Sequence, residues 1–250
     1  MSIYITGDTH GNARDICNAI SQIKNPSKDD FIIIAGDAGF EYESYVMGQA
    51  KREARKFPGT WIVLRGNHDS RYWNHEYDQG WEIVEHQGCS YLRQKKYPNI
   101  WYLPDTGCIY HLNDFNILFI PGAYSVDKWY RLRNGYPWNS QEQLSAEEMS
   151  NLHLLTIEWV DLGFDIDFVV AHTFPHKTEK HFQDLFMEGI DQSKVDKTTE
   201  YWLDEMADVY ENASGFKQYF GGHFHDDRRV NKKYTMLYNE VEDLADYVKE

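Results

Sequence analysis

The sequence predicts an α/β fold, and three features of the chain point to it. Short apolar runs that are rich in β-branched residues occupy positions 3–6, 31–35 and 61–64. Continuous runs of this length are typical of strands that are buried on both faces. Helical patterns separate the runs, and a glycine with polar residues follows each of them. The β-α-β-α-β order over about the first 65 residues therefore favours an α/β sheet.

Each of the two early helices is predicted from an apolar face. In the first helix the residues on this face are Ala13, Ile16, Cys17, Ile20 and Ile23. In the second helix they are Tyr45, Val46, Ala50, Ala54 and Phe57. Two later apolar runs, at 168–171 and 219–220, are also predicted strands, because they too end on glycine or polar residues.

The remaining elements are shorter and more varied. Strands are predicted at 82–86, 100–103, 108–112 and 115–120, with a hairpin turn at Asn113-Asp114. A helix is predicted from near Ser145, where Glu148 completes a capping box, to about Asp161, and another over 198–212. The C-terminal region is predicted to be a strand over 233–241 and then a solvated acidic end. Because no repeat or Pro/Gly-rich linker interrupts the chain, we expect a single domain over residues 1–250.

The composition excludes several classes of protein. A hydrophobic fraction of 42% with 26% charged residues is globular, and no apolar run approaches the roughly 18 residues of a membrane helix. The 25 basic and 40 acidic residues give a net charge of −15, which disfavours long nucleic acids and membranes as partners. A ligand that carries phosphate then needs a local positive centre, such as a metal cluster. Three cysteines without CxxC spacing, and no leader peptide, predict a cytoplasmic protein.

Side chains that can bind metal follow the predicted strand ends. They are Asp8, His10, Asp37, Asn67, His68, His172, His223 and His225. In α/β sheets, ligand sites gather beyond the carboxyl ends of the strands. Carboxylate, amide and imidazole groups suit divalent ions such as Mn²⁺, Fe²⁺, Ni²⁺ or Zn²⁺. Since even seven ligands exceed what one ion needs, we expect two ions roughly 3.5–4 Å apart that hold a hydroxide for attack on phosphorus.

Five motifs in this order resemble those of the calcineurin-like metallophosphoesterases. They are Gly7-Asp8-Thr9-His10-Gly11, Gly36-Asp37, Gly66-Asn67-His68-Asp69, Ala171-His172 and Gly221-Gly222-His223-Phe224-His225. The resemblance implies a four-layer α-β-β-α sandwich of two mixed sheets, with two metals at the strand ends. Segments 122–128 and 189–196 look like those of small uncharacterised bacterial and phage-type members of the superfamily.

The resemblance also implies a role for each residue of the motifs. The first ion would be held by Asp8, His10 and His225, the second by Asn67, His172 and His223, and both by a bridging Asp37. His68 would not be a ligand but would face the scissile ester. There its imidazolium would protonate the leaving oxygen, a role that typically contributes roughly 10²–10⁴-fold to the rate.

The chain lacks one feature of the Ser/Thr protein phosphatases in this superfamily. In those enzymes a second Asp and an Arg follow the bridging aspartate, whereas residues 36–39 here are followed by Phe40-Glu41. The carboxylate that would orient His68 is therefore absent from its usual place. Asp69, Glu41 and Glu43 are the candidates to replace it.

A further set of residues is predicted to contact the substrate. They are Arg14, Arg65, Tyr124, Lys128, Arg131 and His176. Loops 71–81 and 124–138 mix aromatic and basic side chains, which can stack on a ring and bind phosphate. The alternative is that these loops form a hydrophobic lid or a subunit contact.

Together these features predict a cytoplasmic, metal-dependent phosphoesterase that acts on a small phosphorylated molecule, such as a nucleotide or a related monoester or diester. A phosphoprotein phosphatase is an alternative, which Arg65 favours and the missing Asp-Arg pair opposes. A nuclease is a second alternative, opposed by the net charge of −15. A scaffold of the same fold without catalysis is a third, opposed by the complete set of ligands and by His68.

Overall fold

The computed structural model describes residues 1–42 and 47–248. It contains two stacked β-sheets with helices on their outer sides. In chain order the strands are β1 (Ile3–Thr6), β2 (Phe31–Ile34), β3 (Thr60–Val63), β4 (Trp81–His86), β5 (Cys89–Gln94), β6 (Ile100–Tyr102), β7 (Cys108–Leu112), β8 (Phe115–Ile120), β9 (Phe168–Ala171), β10 (Gln218–Gly221), β11 (Arg228–Arg229), β12 (Tyr234–Met236) and β13 (Glu242–Asp243). The helices are α1 (Ala13–Gln22), α2 (Met47–Ala54), α3 (Lys128–Asn134), α4 (Ala146–Asp161) and α5 (Thr198–Tyr210).

Both sheets have a parallel centre and antiparallel edges. Over the described ranges the first sheet has seven strands in the order β13-β1-β2-β3-β6-β5-β4, with β1, β2, β3 and β6 parallel. The second has six strands within those ranges, in the order β11-β12-β10-β9-β8-β7, with β12, β10, β9 and β8 parallel. Because parallel strands end at the same edge, the loops that follow them are brought together there.

Three apolar cores separate four layers. Neighbouring residues of β2 show the pattern, since Ile33 lies in the core between the two sheets and Ile34 lies in the core under α1 and α2. In β9, Val170 faces the other sheet and Val169 faces α4 and α5. Because successive side chains of a strand point to opposite faces of the sheet, one strand contributes residues to two cores. The α-β-β-α sandwich of two mixed sheets is confirmed.

Several predicted elements are confirmed with their ends. β7 and β8 pair in the hairpin predicted at Asn113-Asp114, and Asn113 adopts the left-handed φ of 56° that such a turn requires. The capping box that begins α4 is present, since the Glu148 nitrogen donates to Ser145 Oγ (3.2 Å) and the Ser145 nitrogen donates to Glu148 Oε2 (2.8 Å). Helix α5 begins at Thr198 as predicted and ends at Tyr210.

The C-terminal prediction was wrong in two respects. The predicted strand over 233–241 is limited to Tyr234–Met236, because the carboxylate of Asp227 accepts hydrogen bonds from the backbone nitrogens of residues 238–240 and turns the chain. The acidic end is also not simply solvated. Its strand β13 pairs with β1, and Leu244 is buried in the core between the sheets.

Some elements were not predicted, and one prediction falls partly outside the described residues. Strand β5 and helix α3 lie in stretches for which no strand or helix was predicted. Of the second predicted helix, α2 covers the part from Met47 to Ala54, whereas Tyr45 and Val46 lie outside the described residues. None of the described helices is both long and apolar enough to cross a membrane.

Candidate metal centre and active site

The centre lies at the carboxyl ends of five parallel strands. Each strand is followed within a few residues by a predicted metal ligand: β1 by Asp8 and His10, β2 by Asp37, β3 by Asn67, β9 by His172, and β10 by His223 and His225. Three of these strands belong to the first sheet and two to the second. The centre is therefore assembled across the interface between the two sheets.

Glycines in these loops make room for the ligands. A Cβ atom on Gly36 would lie 2.1 Å from Nδ1 of His172, and one on Gly66 would lie 2.1 Å from Oδ1 of Asp37. Real Cβ atoms do not approach other atoms so closely, and both neighbours are buried side chains that have no space to move. Glycine is therefore required at both positions for the ligand to reach the centre.

Four candidate ligands adopt a backbone conformation that is uncommon outside glycine. The φ angles are 45° for His10, 47° for Asp37, 71° for His223 and 53° for His225. Each such residue costs on the order of 1–3 kcal/mol and persists only where the surrounding structure imposes it. Concentration of this strain in the ligand loops is typical of a functional site.

The first ligand group consists of Asp8, His10 and His225. The Nε2 atoms of the two histidines are 2.9 Å apart, and Nε2 of His225 is 3.3 Å from Oδ2 of Asp8. Asp8 is buried and is oriented by the backbone nitrogen of His223, which donates to Oδ1 (3.0 Å). A Cβ on Gly222 would lie 2.1 Å from the same Oδ1. All three potential ligand atoms lie within 4.8 Å of one another, so one ion can contact them together.

The second group contains Asp37, Asn67, His172 and His223. Oδ1 of Asn67 lies 2.7 Å from Nε2 of His172 and 3.1 Å from Nδ1 of His223. Nδ1 of His172 is 2.9 Å from the Ala35 carbonyl oxygen and donates to it, which turns Nε2 toward Asn67. In octahedral coordination, ligand atoms about 2.1 Å from one ion are about 3 Å apart, which is close to these distances.

The two groups adjoin each other through their carboxylates. Potential ligand atoms of Asp8, Asp37 and His172 lie within 4.8 Å of one another, and Nε2 of His172 is 3.5 Å from Oδ2 of Asp37. Burial by itself would raise the pKa of Asp37, but the charge of His172 and its hydrogen bond hold that pKa below the usual range. Burial likewise opposes the charged form of His172, yet Asp37 and Asp8 raise its pKa to about 9. The buried carboxylates thus attract positive charge, which divalent cations can supply.

A profile of calcineurin-like phosphoesterases matches the chain over residues 1–227. The chain belongs to this family. Its members typically bind divalent metals, and the Asp and His groups described above are the candidates in this one. A comparison with curated proteins gives no significant match.

Among solved structures, the chain is similar to the phosphopantetheinyl hydrolase PptH of Mycobacterium tuberculosis, with 13% identity, a TM-score of 0.50, and coverage of 95% of this chain and 90% of that one. TT1561 of Thermus thermophilus is 9% identical with a TM-score of 0.48 and 96% coverage of both chains. The protein of unknown function AQ665 of Aquifex aeolicus is 13% identical with a TM-score of 0.35, over 69% of this chain and 80% of that one. The likeness to the hydrolase shows a shared fold.

A hydrogen-bonded network behind the centre of this family member orients Asn67. The amide nitrogen of Asn67 donates to Oγ of Ser125 (2.8 Å), and that hydroxyl donates to Oε2 of Glu142 (2.5 Å). Glu142 also accepts from the Ser125 nitrogen (3.1 Å) and from Nε1 of Trp138 (2.8 Å). Because the amide nitrogen is held by Ser125, the amide oxygen faces the ligands. Ser125 lies in segment 122–128, for which no role was predicted, and Glu142 was not predicted because no motif surrounds it.

His68 lies at the rim of the centre. Its backbone nitrogen donates to Oδ1 of Asp37 (2.8 Å), and its Nε2 is 4.0 Å from Oδ2 of the same residue. On its other side, Nη2 of Arg131 is 3.4 Å from His68 Nε2, and Arg131 is itself held by Asp127, which accepts from its Nε (2.7 Å). Burial, and to a smaller extent Arg131, lower the pKa of His68 although Asp37 opposes this. Since a guanidinium can only donate, Nε2 of His68 is the acceptor in its contact with Arg131.

The predicted role of Asp69 as the carboxylate that orients His68 is not borne out by its contacts. Asp69 is buried and accepts hydrogen bonds from the backbone nitrogens of Gly39 (3.2 Å) and Gly66 (3.0 Å). It joins the loops after β2 and β3, and the hydrogen bonds found for it in the described part of the chain do not include His68. Burial raises its pKa to about 7.

Glu41, one of the two alternative carboxylates, has other partners. Glu41 accepts a hydrogen bond from the Tyr102 hydroxyl and pairs with Lys51, whose Nζ lies 2.6 Å from Oε1. Tyr102 belongs to β6 and Lys51 to α2. Glu43 lies outside the described residues.

Three predicted substrate contacts lie away from the centre. Arg65 is 1% exposed and donates to the backbone carbonyls of Glu142 (2.8 Å) and Gln141 (3.3 Å), so its guanidinium braces a loop and is not available to phosphate. Arg14 is exposed on α1 beside a shallow surface depression. Its backbone nitrogen donates to Asn12 in the cap of the helix. His176 packs on the ring of Tyr201 with centroids 4.4 Å apart, since a short 3-10 helix turns it toward α5.

The other three predicted contacts come from the segment that contains α3. Tyr124 and Arg131 line cavities that open on the centre. Lys128 is surrounded by rings instead, with Nζ 4.1 Å from the centroid of Trp138 and 5.7 Å from that of Tyr124. Its charge is therefore stabilised by cation–π contacts, and it supports the loop and does not extend into the cleft.

Proposed function

We propose that the protein is a dinuclear, metal-dependent phosphoesterase that hydrolyses a small phosphorylated molecule, such as a nucleotide or a related monoester or diester. The observation that carries the proposal is two overlapping sets of side chains beside the imidazole of His68, Asp8-His10-His225 and Asp8-Asp37-His172, with potential ligand atoms within 4.8 Å of one another in each set. When bound, two divalent ions such as Mn²⁺, Fe²⁺, Ni²⁺ or Zn²⁺ supply Lewis-acid charge and lower the pKa of the attacking water.

The residues at the rim of the centre carry out the other steps. When substrate binds, the guanidinium of Arg131, 3.4 Å from His68 Nε2 in the free protein, donates to the phosphoryl oxygens, and Nε2 is released to carry the proton that it donates to the leaving oxygen. Asp127 holds that guanidinium in place through its Nε. The chain thus contributes proton transfer and positioning, and the proposed ions contribute the charge.

The shape and charge of the cleft support a small substrate. A cavity of about 950 Å³ opens on His68 and Arg131, and small-molecule sites commonly occupy about 300–1,000 Å³. The net charge of −15 repels long polyanions at a distance. Arg65 was the residue that favoured a protein phosphatase, and its burial removes that support. The free cysteines Cys17, Cys89 and Cys108 support the cytoplasm as the compartment.

The proposal is tested by turnover after removal and return of metal. The protein is stripped with a chelator, and release of p-nitrophenol from p-nitrophenyl phosphate and from bis-p-nitrophenyl phosphate is followed as Mn²⁺ or Ni²⁺ is added. We expect no release from the stripped protein and metal-dependent release from at least one ester after addition. Metal that binds without turnover of either ester, or of nucleotides, would favour the scaffold alternative.

A further inference from the structure

One arm of the cleft is apolar and ends on an unpaired glutamate. This arm, a cavity of about 220 Å³, is bounded on the metal side by Asn67, His68 and His223. Farther from the centre its walls are apolar side chains that include Phe186, Val195 and Phe224. Its volume suits a fragment of a substrate that is joined to the phosphoryl group.

Glu200 lies in the wall of this arm. It is the third residue of α5 and is 7% exposed. Its Oε2 has no hydrogen-bond partner within residues 1–42 and 47–248, whereas its Oε1 accepts a long hydrogen bond from the Thr173 hydroxyl at 3.5 Å. A buried carboxyl that lacks partners is costly to the fold, and such groups in native proteins commonly have a functional reason. Burial accordingly raises the pKa of Glu200 to about 7.

The charged neighbours of Glu200 do not satisfy it. Lys197 lines the same cavity, but its Nζ is 2.5 Å from Oε2 of Glu179 and 5.0 Å from the ring centroid of Phe186. The lysine charge is therefore already balanced by Glu179 and stabilised by the ring. Glu200 is left as an acceptor that faces an apolar chamber.

We infer, on the basis of the proposed function, that this arm binds the alcohol part of the substrate, an apolar stem that ends in a hydrogen-bond donor recognised by Glu200. The donor is an amine or a hydroxyl group, because both can donate to a carboxyl oxygen. The stem lies against Phe186, Val195 and Phe224, which line the arm, and the phosphoryl group remains at the metal centre. The substrate class is therefore a phosphoester of an amino alcohol or a diol with an apolar stem.

The test compares n-alkyl phosphates with ω-aminoalkyl and ω-hydroxyalkyl phosphates of the same chain length, over a series of lengths. Phosphate release by the Mn²⁺-loaded protein gives kcat and KM for each. At the best length we expect the terminal donor to lower KM by about tenfold, as a buried hydrogen bond to a charged group does, with little change in kcat. The amino and hydroxyl arms of the series distinguish a cationic from a neutral donor. Equal KM values at every length would overturn the inference.

The variant Glu200→Met sharpens the test. Methionine removes the unpaired carboxyl and keeps an unbranched side chain, so the variant is expected to unfold at a higher temperature than the natural chain while it loses the preference for a terminal donor. Glu205→Met changes an exposed glutamate of the same helix and is expected to leave the preference intact. A preference that survives in Glu200→Met would assign the donor to another residue.

Binding without turnover separates this inference from the proposed function. Calorimetric titration of the Mn²⁺-loaded protein with n-alkyl and ω-aminoalkyl phosphonates measures the arm alone, because phosphonates are not hydrolysed. Preferential binding in the absence of any phosphatase activity would uphold the arm and contradict the hydrolase. Turnover without a preference for the terminal donor in either experiment would support the hydrolase and contradict the inference about the arm.

Discussion

The metal centre and the cleft around it are built in different ways. Each candidate ligand lies within a few residues of a strand end. The loops that hold these residues contain glycines at which a Cβ would clash, and residues with left-handed φ angles. The cleft is formed by α3 and by segment 183–200, whose residues reach the centre from far along the chain. The first region is therefore encoded locally and the second by packing. Substitutions in the two regions should accordingly have effects of different kind and size.

The largest effect is expected from Asp37→Asn. This carboxylate is the predicted bridge between the two ions and its potential ligand atoms lie within 4.8 Å of those of Asp8 and His172, so its loss should remove metal and reduce turnover by more than the roughly 100-fold typical of residues that only support a ligand. Metal content by mass spectrometry and turnover with added Mn²⁺ check this. Circular dichroism should remain unchanged, and a variant that keeps two ions per chain would contradict the role of Asp37.

The next largest effect is expected from His68→Gln. Proton donation to the leaving oxygen should be lost, and kcat should fall by roughly 10²–10⁴-fold on an alkyl phosphate while metal content stays the same. The loss should be smaller on p-nitrophenyl phosphate, whose leaving group needs no proton. An equal loss on both substrates would instead indicate a positioning role.

A smaller effect is expected from Ser125→Ala, which breaks the network behind the centre. The Asn67 amide nitrogen loses its acceptor at 2.8 Å, so the amide oxygen is less firmly directed at the ligands. Metal affinity should fall by about 10–100-fold, as it does when such supporting groups are removed. Titration with Mn²⁺ measures this, and Ser140→Ala, at an exposed position in the loop after α3, is the matched control.

In the cleft, Arg131→Ala should raise KM by roughly tenfold and leave metal content unchanged, since it removes a charged hydrogen bond to the phosphoryl group. Arg133→Ala removes an exposed arginine from the same helix and should have no effect. Identical kinetics for the two variants would exclude Arg131 from the substrate site.

The smallest effect on turnover is expected from Glu148→Gln, which tests an ion pair that contributes to the stability of the fold. Glu148 binds Arg71 through both oxygens (2.5 and 2.9 Å), and chiefly this pair lowers its pKa from 4.5 to about 2. The contribution to stability is therefore complete above pH 4.5 and is lost as the pH falls toward 2. Because glutamine preserves the capping box, we expect a loss of about 1–2 kcal/mol at neutral pH that shrinks in acid. Urea unfolding at several pH values measures it, and a difference that does not depend on pH would contradict this assignment.

Residues of the cleft show why part of the site escaped prediction. Arg65 and Arg131 are both arginines near predicted site residues, yet one is buried against backbone carbonyls and the other lies 3.4 Å from His68. Glu142 and Glu200 lie in stretches without a motif and become notable only through burial and partners. Sequence spacing does not specify such contacts, because they depend on how separate segments pack.

The sequence alone predicted the buried strands, and its motifs, through their resemblance to a family, predicted the four-layer arrangement and the candidate residues of the metal centre. The reason is physical: parallel strands end at one edge, so the side chains that follow them meet there, and glycine at positions 36 and 66 leaves space for His172 and Asp37. Only the tertiary structure decided that Asp69 joins two loops, that the acidic end pairs with β1, and that Glu200 faces an apolar chamber. These outcomes depend on contacts between residues far apart in the chain, where burial and available partners, and not residue type, set the role of a charge.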